Sequence, residues 1–218
     1  MGGSGLRSKR LVGLVLILGG LGALGFGGWQ YFIADLAPAA EKQALAEHYK
    51  ADEASEFLDP AAATQLGDVF GRIYIPRLGD GYVRLVAEGV KWHPVLNEIG
   101  IGHYSRTQLP GEVGNFAVAA HRGGFGGSFR NIHRLTTGDY VDVETNDGWY
   151  RYEYRQTKIV KPEDTDVINP VPKELDGATA GGRYMTLTSC DPVFVNTNRI
   201  IVWLELQKSA ETRAGLSN

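Results

Sequence analysis

The sequence predicts a mainly β domain carried behind one long apolar helix. Residues 11–33 hold no charged side chain, and beyond Gly67 the chain breaks into short β-rich runs separated by Gly, Pro, Asn and Asp. The length sets the scale: 218 residues suffice for one domain with a real core plus attachments at its ends, and two large domains would be crowded.

The apolar run comes first. About 20 such residues cross the hydrocarbon core as a helix, so this one is long enough to span. Arg7, Lys9 and Arg10 precede it while Asp35 and Glu41 follow, which predicts a cytoplasmic N-terminus and an extracellular body. Trp29 and Tyr31 stand near the outer end, where amphipathic rings settle at headgroup level. A cleaved signal peptide would use Ala37-Pro38-Ala39 as its cleavage site, but the apolar core is roughly twice the usual length, so an uncleaved single-pass anchor is the expectation.

From Pro38 to about Asp59 the chain is rich in Ala, Glu, Lys and Gln. Leu45, Tyr49 and Phe57 are irregularly spaced, so the segment favours helix by propensity and offers only a weak apolar face. Pro60 followed by three alanines ends it. The strands then follow in order. Arg72–Pro76 alternates, Tyr82–Ala87 is strand-like, and Phe116–Ala120 is a small apolar run fit for a buried strand. Tyr140–Glu144 alternates after the turn Thr137-Gly138-Asp139, Trp149–Val160 is long and aromatic-rich, and Tyr184–Thr188 and Arg199–Leu206 complete the set. Seven or eight strands with short helical pieces near Val90–Leu96 and Ser128–Leu135 point to a closed antiparallel or mixed barrel. Periodicity alone leaves a β-sandwich equally open. The divisions are therefore 1–10 (cytoplasmic), 11–33 (anchor), 34–66 (Ala-rich helical stalk and linker), 67–208 (folded domain) and 209–218 (polar tail).

Composition removes some classes of function. The net charge is −3 and no basic stripe interleaves with aromatics, so nucleic acid is not an expected partner. Cys190 is the single cysteine, which excludes an internal disulfide and the paired-cysteine metal sites. Free cysteine is usually buried and inert. Cys190 instead ends an apolar strand behind the polar Thr188 and Ser189, on a domain predicted to be exported, where an unpaired thiol is kept for its reactivity. His121 is likewise delivered at the end of a strand, by Phe116-Ala117-Val118-Ala119-Ala120, and Arg199 stands nine positions after Cys190.

That order of His121, Cys190 and Arg199, with the segment Thr186-Leu187-Thr188-Ser189-Cys190, resembles the sortase transpeptidases. Together with His121-Arg122-Gly123-Gly124-Phe125-Gly126-Gly127-Ser128-Phe129, it is most similar to class E sortases of high-GC Gram-positive bacteria, over about Gly67 to Leu206. The resemblance implies an eight-stranded sortase-type β-barrel as the catalytic domain. It implies cleavage of a C-terminal LAXTG or LPXTG signal between Thr and Gly and transfer of the acyl group to a cell-wall amine, on lipid II or peptidoglycan. Its protein partners would be secreted proteins bearing that signal.

The chemistry needs a nucleophile, a proton carrier and charge at the oxyanion. Cys190 would attack as thiolate, favoured by the nearby His and Arg charges. His121 would protonate the leaving amine and later take a proton from the acceptor. Arg199, always charged, would hold the oxyanion or a substrate carbonyl with its planar fork. Thr188 and Ser189 are expected at the substrate, and Leu109–Asn115 resembles the family's loop leading to the histidine strand. Tyr104 lies where class E enzymes place a tyrosine selecting LAXTG: Ala in the second position offers an N–H that Pro lacks, and a phenol oxygen accepts it.

Two departures stand out. Ser189 replaces the usual Thr, keeping the hydroxyl and losing a methyl, and Gly123-Gly124-Phe125 stands where class E members tend to show a Thr-Thr-Tyr type run. His103, in a loop-like stretch, and His133, on a short helix, do not match the strand-end placement of His121. Asp139, Asp142 and Glu144 read as a solvated face of an alternating strand, so neither a metal nor another cofactor is expected. The polar segment from Ser209 and the absence of a lid motif in the stalk speak against a pilus-polymerising class C enzyme. An L,D-transpeptidase would place its Cys in a Ser-His-Gly-Cys setting, which Cys190 lacks. The alternative of another class is a catalytically inactive tethered barrel acting as a surface scaffold, which a thiol-reactive probe would separate from an enzyme.

Overall fold

A computed structural model describes residues 4–51 and 57–216. The start of the predicted N-terminal segment (1–3), a stretch within the predicted linker (52–56) and the end of the tail (217–218) lie outside the described residues. Helix α1 (Ser4–Tyr31) contains the apolar run except its last two residues, Phe32 and Ile33. Its stretch Lys9–Tyr31 is long and apolar enough to cross a membrane, and its apolar core is not buried against the rest of the chain. A π-helical turn over Phe32–Leu36 leads directly into α2 (Ala37–Ala51).

Eight strands close into a barrel: β1 (Val69–Tyr74), β2 (Val83–Glu88), β3 (Gly100–His103), β4 (Gly114–Ala119), β5 (Tyr140–Thr145), β6 (Gly148–Val160), β7 (Arg183–Asp191) and β8 (Asn198–Ala210). The order round the barrel is β1-β2-β3-β4-β7-β8-β6-β5, and β5 pairs back onto β1. The pairs β2/β3 and β4/β7 are parallel and the others antiparallel. The barrel is thus mixed, and closure leaves no free sheet edge. Its interior is filled by Ile73, Val86, Ile101, Phe116, Val118, Val143, Leu187 and Val202 among others, all at most 1 % exposed. Alternation explains the pattern: one side of each strand faces this filling and the other faces outward.

Parts of the outer surface are also covered. Helix α2 lays Ala46 against Val83 and Leu85, which is why β2 is buried on both faces and reads as a continuous apolar run. The predicted stalk is therefore helical through Ala51 and lies against the barrel. The kinked helical segment Trp92–Ile99 covers Ala87 through Val95 and Leu96, and the loop around Val167 and Leu175 covers Trp203. Strand β8 runs to Ala210, two residues into the segment read as tail, and a short turn over Arg213–Leu216 folds back with Leu216 buried.

Three sequence expectations differ from the structure for identifiable reasons. Strand β3 is absent from the predicted set because Gly100-Ile101-Gly102-His103 carries two poor β formers. A Cβ on Gly102 would lie 2.2 Å from the Gly89 carbonyl oxygen, so close backbone approach dictates that glycine. His103 therefore ends a strand rather than sitting in a loop. It is buried, with Nδ1 2.7 Å from Glu88 and Nε2 3.0 Å from Thr107 Oγ1, packed against Phe70 and Phe116. Finally, the acidic residues of β5 are not a solvated face. Asp142 is wholly buried and bonded by Arg151 at 2.7 and 2.9 Å, Glu144 is held by Arg72 and by Tyr74, and Asp139 is held by Arg77. The neighbouring strands β6 and β1 supply the guanidinium to Asp142 and Glu144, and the turn after β1 supplies it to Asp139, just before β5, which a single-strand reading cannot foresee.

Candidate active site

Strands β4, β7 and β8 lie side by side, and their register assembles the site. The β4/β7 pairing runs in parallel from Gly114 opposite Arg183 to Ala119 opposite Thr188. The Ala120 N–H still donates to the Thr188 carbonyl (3.2 Å), and His121 and Cys190, each two residues beyond the last ladder pair, line the same cleft. Across the antiparallel β7/β8 ladder Cys190 is paired directly with Arg199. Directly opposite residues share a face with their Cβ atoms about 4.5–5.5 Å apart. Met185 and Leu187 point into the barrel, so Thr186, Thr188 and Cys190 point outward by the two-residue period.

Thiol, imidazole and guanidinium open onto one cleft of about 350 Å³, whose other walls include Trp92, Tyr104 and Thr188. All six residues singled out from the sequence border it. Cys190 is half-buried and free. Thr188 donates its one hydroxyl proton to the Val118 carbonyl (3.3 Å) and so accepts from the Tyr104 phenol (3.0 Å), which leaves the phenol oxygen's lone pairs for an incoming N–H. Ser189 turns to the other face, where its hydroxyl donates to the Ala120 carbonyl (2.7 Å) and steadies the residue before His121.

His121 sits in an aromatic bracket, 5.2 Å from the Phe125 ring centroid and 5.9 Å from Trp92, the latter edge-on. Asn97 Nδ2 donates to His93 Nε2 (3.0 Å), which turns Asn97 Oδ1 toward His121 Nε2 (2.8 Å). The His121 Nε2–H is thereby committed to Asn97, and Nδ1 is the basic nitrogen. His93 in turn donates from Nδ1 to Glu98 (2.8 Å). Burial, with a smaller contribution from the Lys42 charge, lowers His121 from its ordinary 6.5 to about 4. At neutral pH the imidazole is neutral, so the expected thiolate-favouring charge from His121 is missing in this state, and of the two arginines at the cleft Arg122 is neutralised by Asp191 while Arg199 is not paired with a carboxylate among the described residues.

Arg199 donates to the carbonyls of Asn196 (3.1 Å) and Asn198 (2.8 Å) and, among the described residues, has no carboxylate partner. Its charge stays available to the cleft. Arg122, directly after His121, forms an ion pair with Asp191, directly after Cys190. This clamp ties the ends of β4 and β7 together. Sequence reasoning missed Arg122 in that role, together with Asn97, Trp92 and Phe125. Only Arg122 and Phe125 had a signal, being part of the segment after His121. His103 and His133 are not brought to the cleft.

A stability prediction follows from the His121 shift. Its folded value lies below its unfolded one, so the stability tied to the neutral ring is fully present above about 6.5 and is lost as pH falls through about 4. In denaturant titrations, the wild type is expected to lose more stability than His121→Gln between those pH values. Parallel curves would contradict the burial account.

A family model described as Sortase domain matches residues 73–207. The chain is 32% identical over 207 residues to sortase SrtE1 of Streptomyces coelicolor, covering 92% of this chain and 58% of that protein. It is 35% identical over 195 residues to sortase SrtE2 of the same organism, covering 83% of this chain and 73% of that one. The chain thus spans less than two thirds of the first relative's length. Among solved structures it is similar to sortase E from Streptomyces avermitilis, with a TM-score of 0.61 and 38% identity over 67% of this chain and 92% of that one.

Proposed function

Because this chain belongs to the sortase family, with relatives in its class E branch, we propose that it is a membrane-anchored cysteine transpeptidase that cleaves a C-terminal LAXTG- or LPXTG-type signal between Thr and Gly. The observation that carries this reading is the register that sets Cys190 opposite Arg199 with His121 on the adjoining strand end. Neutral His121 takes the thiol proton at Nδ1 as Cys190 Sγ bonds to the scissile carbonyl carbon, and the oxyanion forms beside the Arg199 guanidinium. Collapse breaks the C–N bond, and His121 returns its proton to the departing glycine amine. A thioacyl enzyme remains. An acceptor amine from lipid II or peptidoglycan then attacks it, His121 receives that amine's proton, and the thiol leaves as the new amide forms.

Helix α1 would hold the protein in the cell membrane, with the basic residues Lys9 and Arg10 on the cytoplasmic side and the barrel outside. The half-buried Tyr104 phenol would accept the N–H of Ala in the second signal position. Incubation of the full chain in detergent with LAXTG and LPXTG peptides and an amine tests the reading: mass spectrometry should show a Thr-amide product, formed faster from LAXTG. Tyr104→Phe should lower LAXTG turnover about two- to tenfold, the worth of one neutral hydrogen bond, and barely change LPXTG. Equal losses on both peptides would show that Tyr104 only shapes the groove. No amide product from either would remove the transpeptidase reading.

A further inference from the structure

Lys42 is a buried lysine that the reaction does not use. It lies on α2, only 2 % exposed, on the same face as Ala46 one turn later. A buried ammonium is costly unless it is hydrogen-bonded, and this one donates to the carbonyls of Leu96 (2.9 Å) and Phe125 (2.5 Å). Those two carbonyls belong to different walls of the active site. Leu96 immediately precedes Asn97, which holds His121 Nε2, and Phe125 carries the ring that lies tilted against the imidazole at 5.2 Å. The helix meets the second wall again at Gly126, where φ is +79° and a Cβ would lie 2.7 Å from the Ala39 backbone nitrogen, so both conformation and space require glycine. Arg130, on the same loop, forms an ion pair with the buried Asp35 in the turn before α2.

We infer that Lys42 is a positioning residue: by donating at once to Leu96 and Phe125, its ammonium holds in register the two loops that bracket His121, and it makes the juxtamembrane helix part of the active site's support. This inference rests on the transpeptidase reading above. The charged and titratable groups facing Lys42 are Arg84 from β2, Glu41 on its own helix and His121. Burial and Arg84 lower the ammonium to about 8 against the pull of Glu41, so it is charged at neutral pH.

The test uses the full chain in detergent and compares wild type with Lys42→Met, Lys42→Gln and Lys42→Arg. Loosening the bracket should lower kcat on the order of ten- to a hundredfold in the Met and Gln variants, with KM changed far less, since the substrate's own contacts remain. Removing the charge and admitting water both raise the His121 pKa, so the acid limb of kcat/KM should move upward from about 4 toward 6.5 in both variants. Lys42→Arg, which keeps the charge, should leave that limb in place. Gln retains a hydrogen-bonding head, so it reads the effect if Met fails to fold. A transpeptidating wild type whose Gln variant stays within about twofold in kcat, with an unmoved acid limb, would overturn the inference while leaving the transpeptidase reading intact. A wild type without turnover would fail the reading instead.

Discussion

Cys190→Ala is expected to abolish both cleavage and transfer, a loss on the order of 10⁴-fold or more, while the barrel stays folded. In the proposed reaction the thiol is the group that forms the acyl bond, and Cys190 is the one cysteine of the sequence, so no second thiol can replace that covalent route. The side chain is half-buried at a strand end, so deleting one sulfur leaves little cavity, and stability should stay within about 1 kcal/mol of wild type. Peptide assays together with thermal unfolding check both halves. Residual cleavage near the wild-type rate in a folded variant would remove Cys190 as nucleophile.

His121→Ala and Arg199→Ala are each expected to lose about 10²-fold or more in kcat/KM, through different steps. Without His121 the thiol proton and the leaving amine both lack a carrier. In the wild type, kcat/KM should fall as pH drops through about 4, where the buried base becomes protonated. Without Arg199 the oxyanion loses its cation. Arg199→Lys should recover only part of the activity. The guanidinium spends Nη1 on the Asn196 and Asn198 carbonyls and still has donors to present, whereas a lone ammonium caught by those carbonyls does not reach the substrate with a second arm. Full rescue by lysine would mean that charge alone matters at this position.

The barrel was readable where strand chemistry is local. Trp149–Val160 and Tyr184–Thr188 carry β-branched and aromatic residues at the strand period, and both are strands in the structure. Strand β3 was not readable, because Gly102 answers to the Gly89 carbonyl across the sheet and not to its own neighbours. His121, Cys190 and Arg199 could be nominated from one chain because their order and flanking segments resemble a known family's; standing at the end of a β run would by itself have left each of them an ordinary surface or core residue. Their conjunction on β4, β7 and β8 depends on a parallel pairing that joins positions 69 residues apart, which no local pattern reports. The supports of the site were the least legible. Asn97 lies on a kinked helical segment, and Lys42 lies on a helix whose apolar face is too weak to announce what it packs against. The β5 carboxylates show the same limit: charge along one strand says nothing of the arginines that Asp142 and Glu144 meet on the next.

If Cys190 carries the acyl group between donor and acceptor, the acyl enzyme can be trapped before the acceptor arrives. Rapid acid quench of the full-length protein with an LAXTG peptide and no amine, read by intact-protein mass spectrometry, tests it directly. The wild type should gain the mass of the peptide's Thr-terminated fragment, on Cys190 by fragment mapping, and lose it on addition of hydroxylamine or an acceptor amine. Cleavage products released at all quench times with no adduct, or an adduct that persists in Cys190→Ala, would contradict the account.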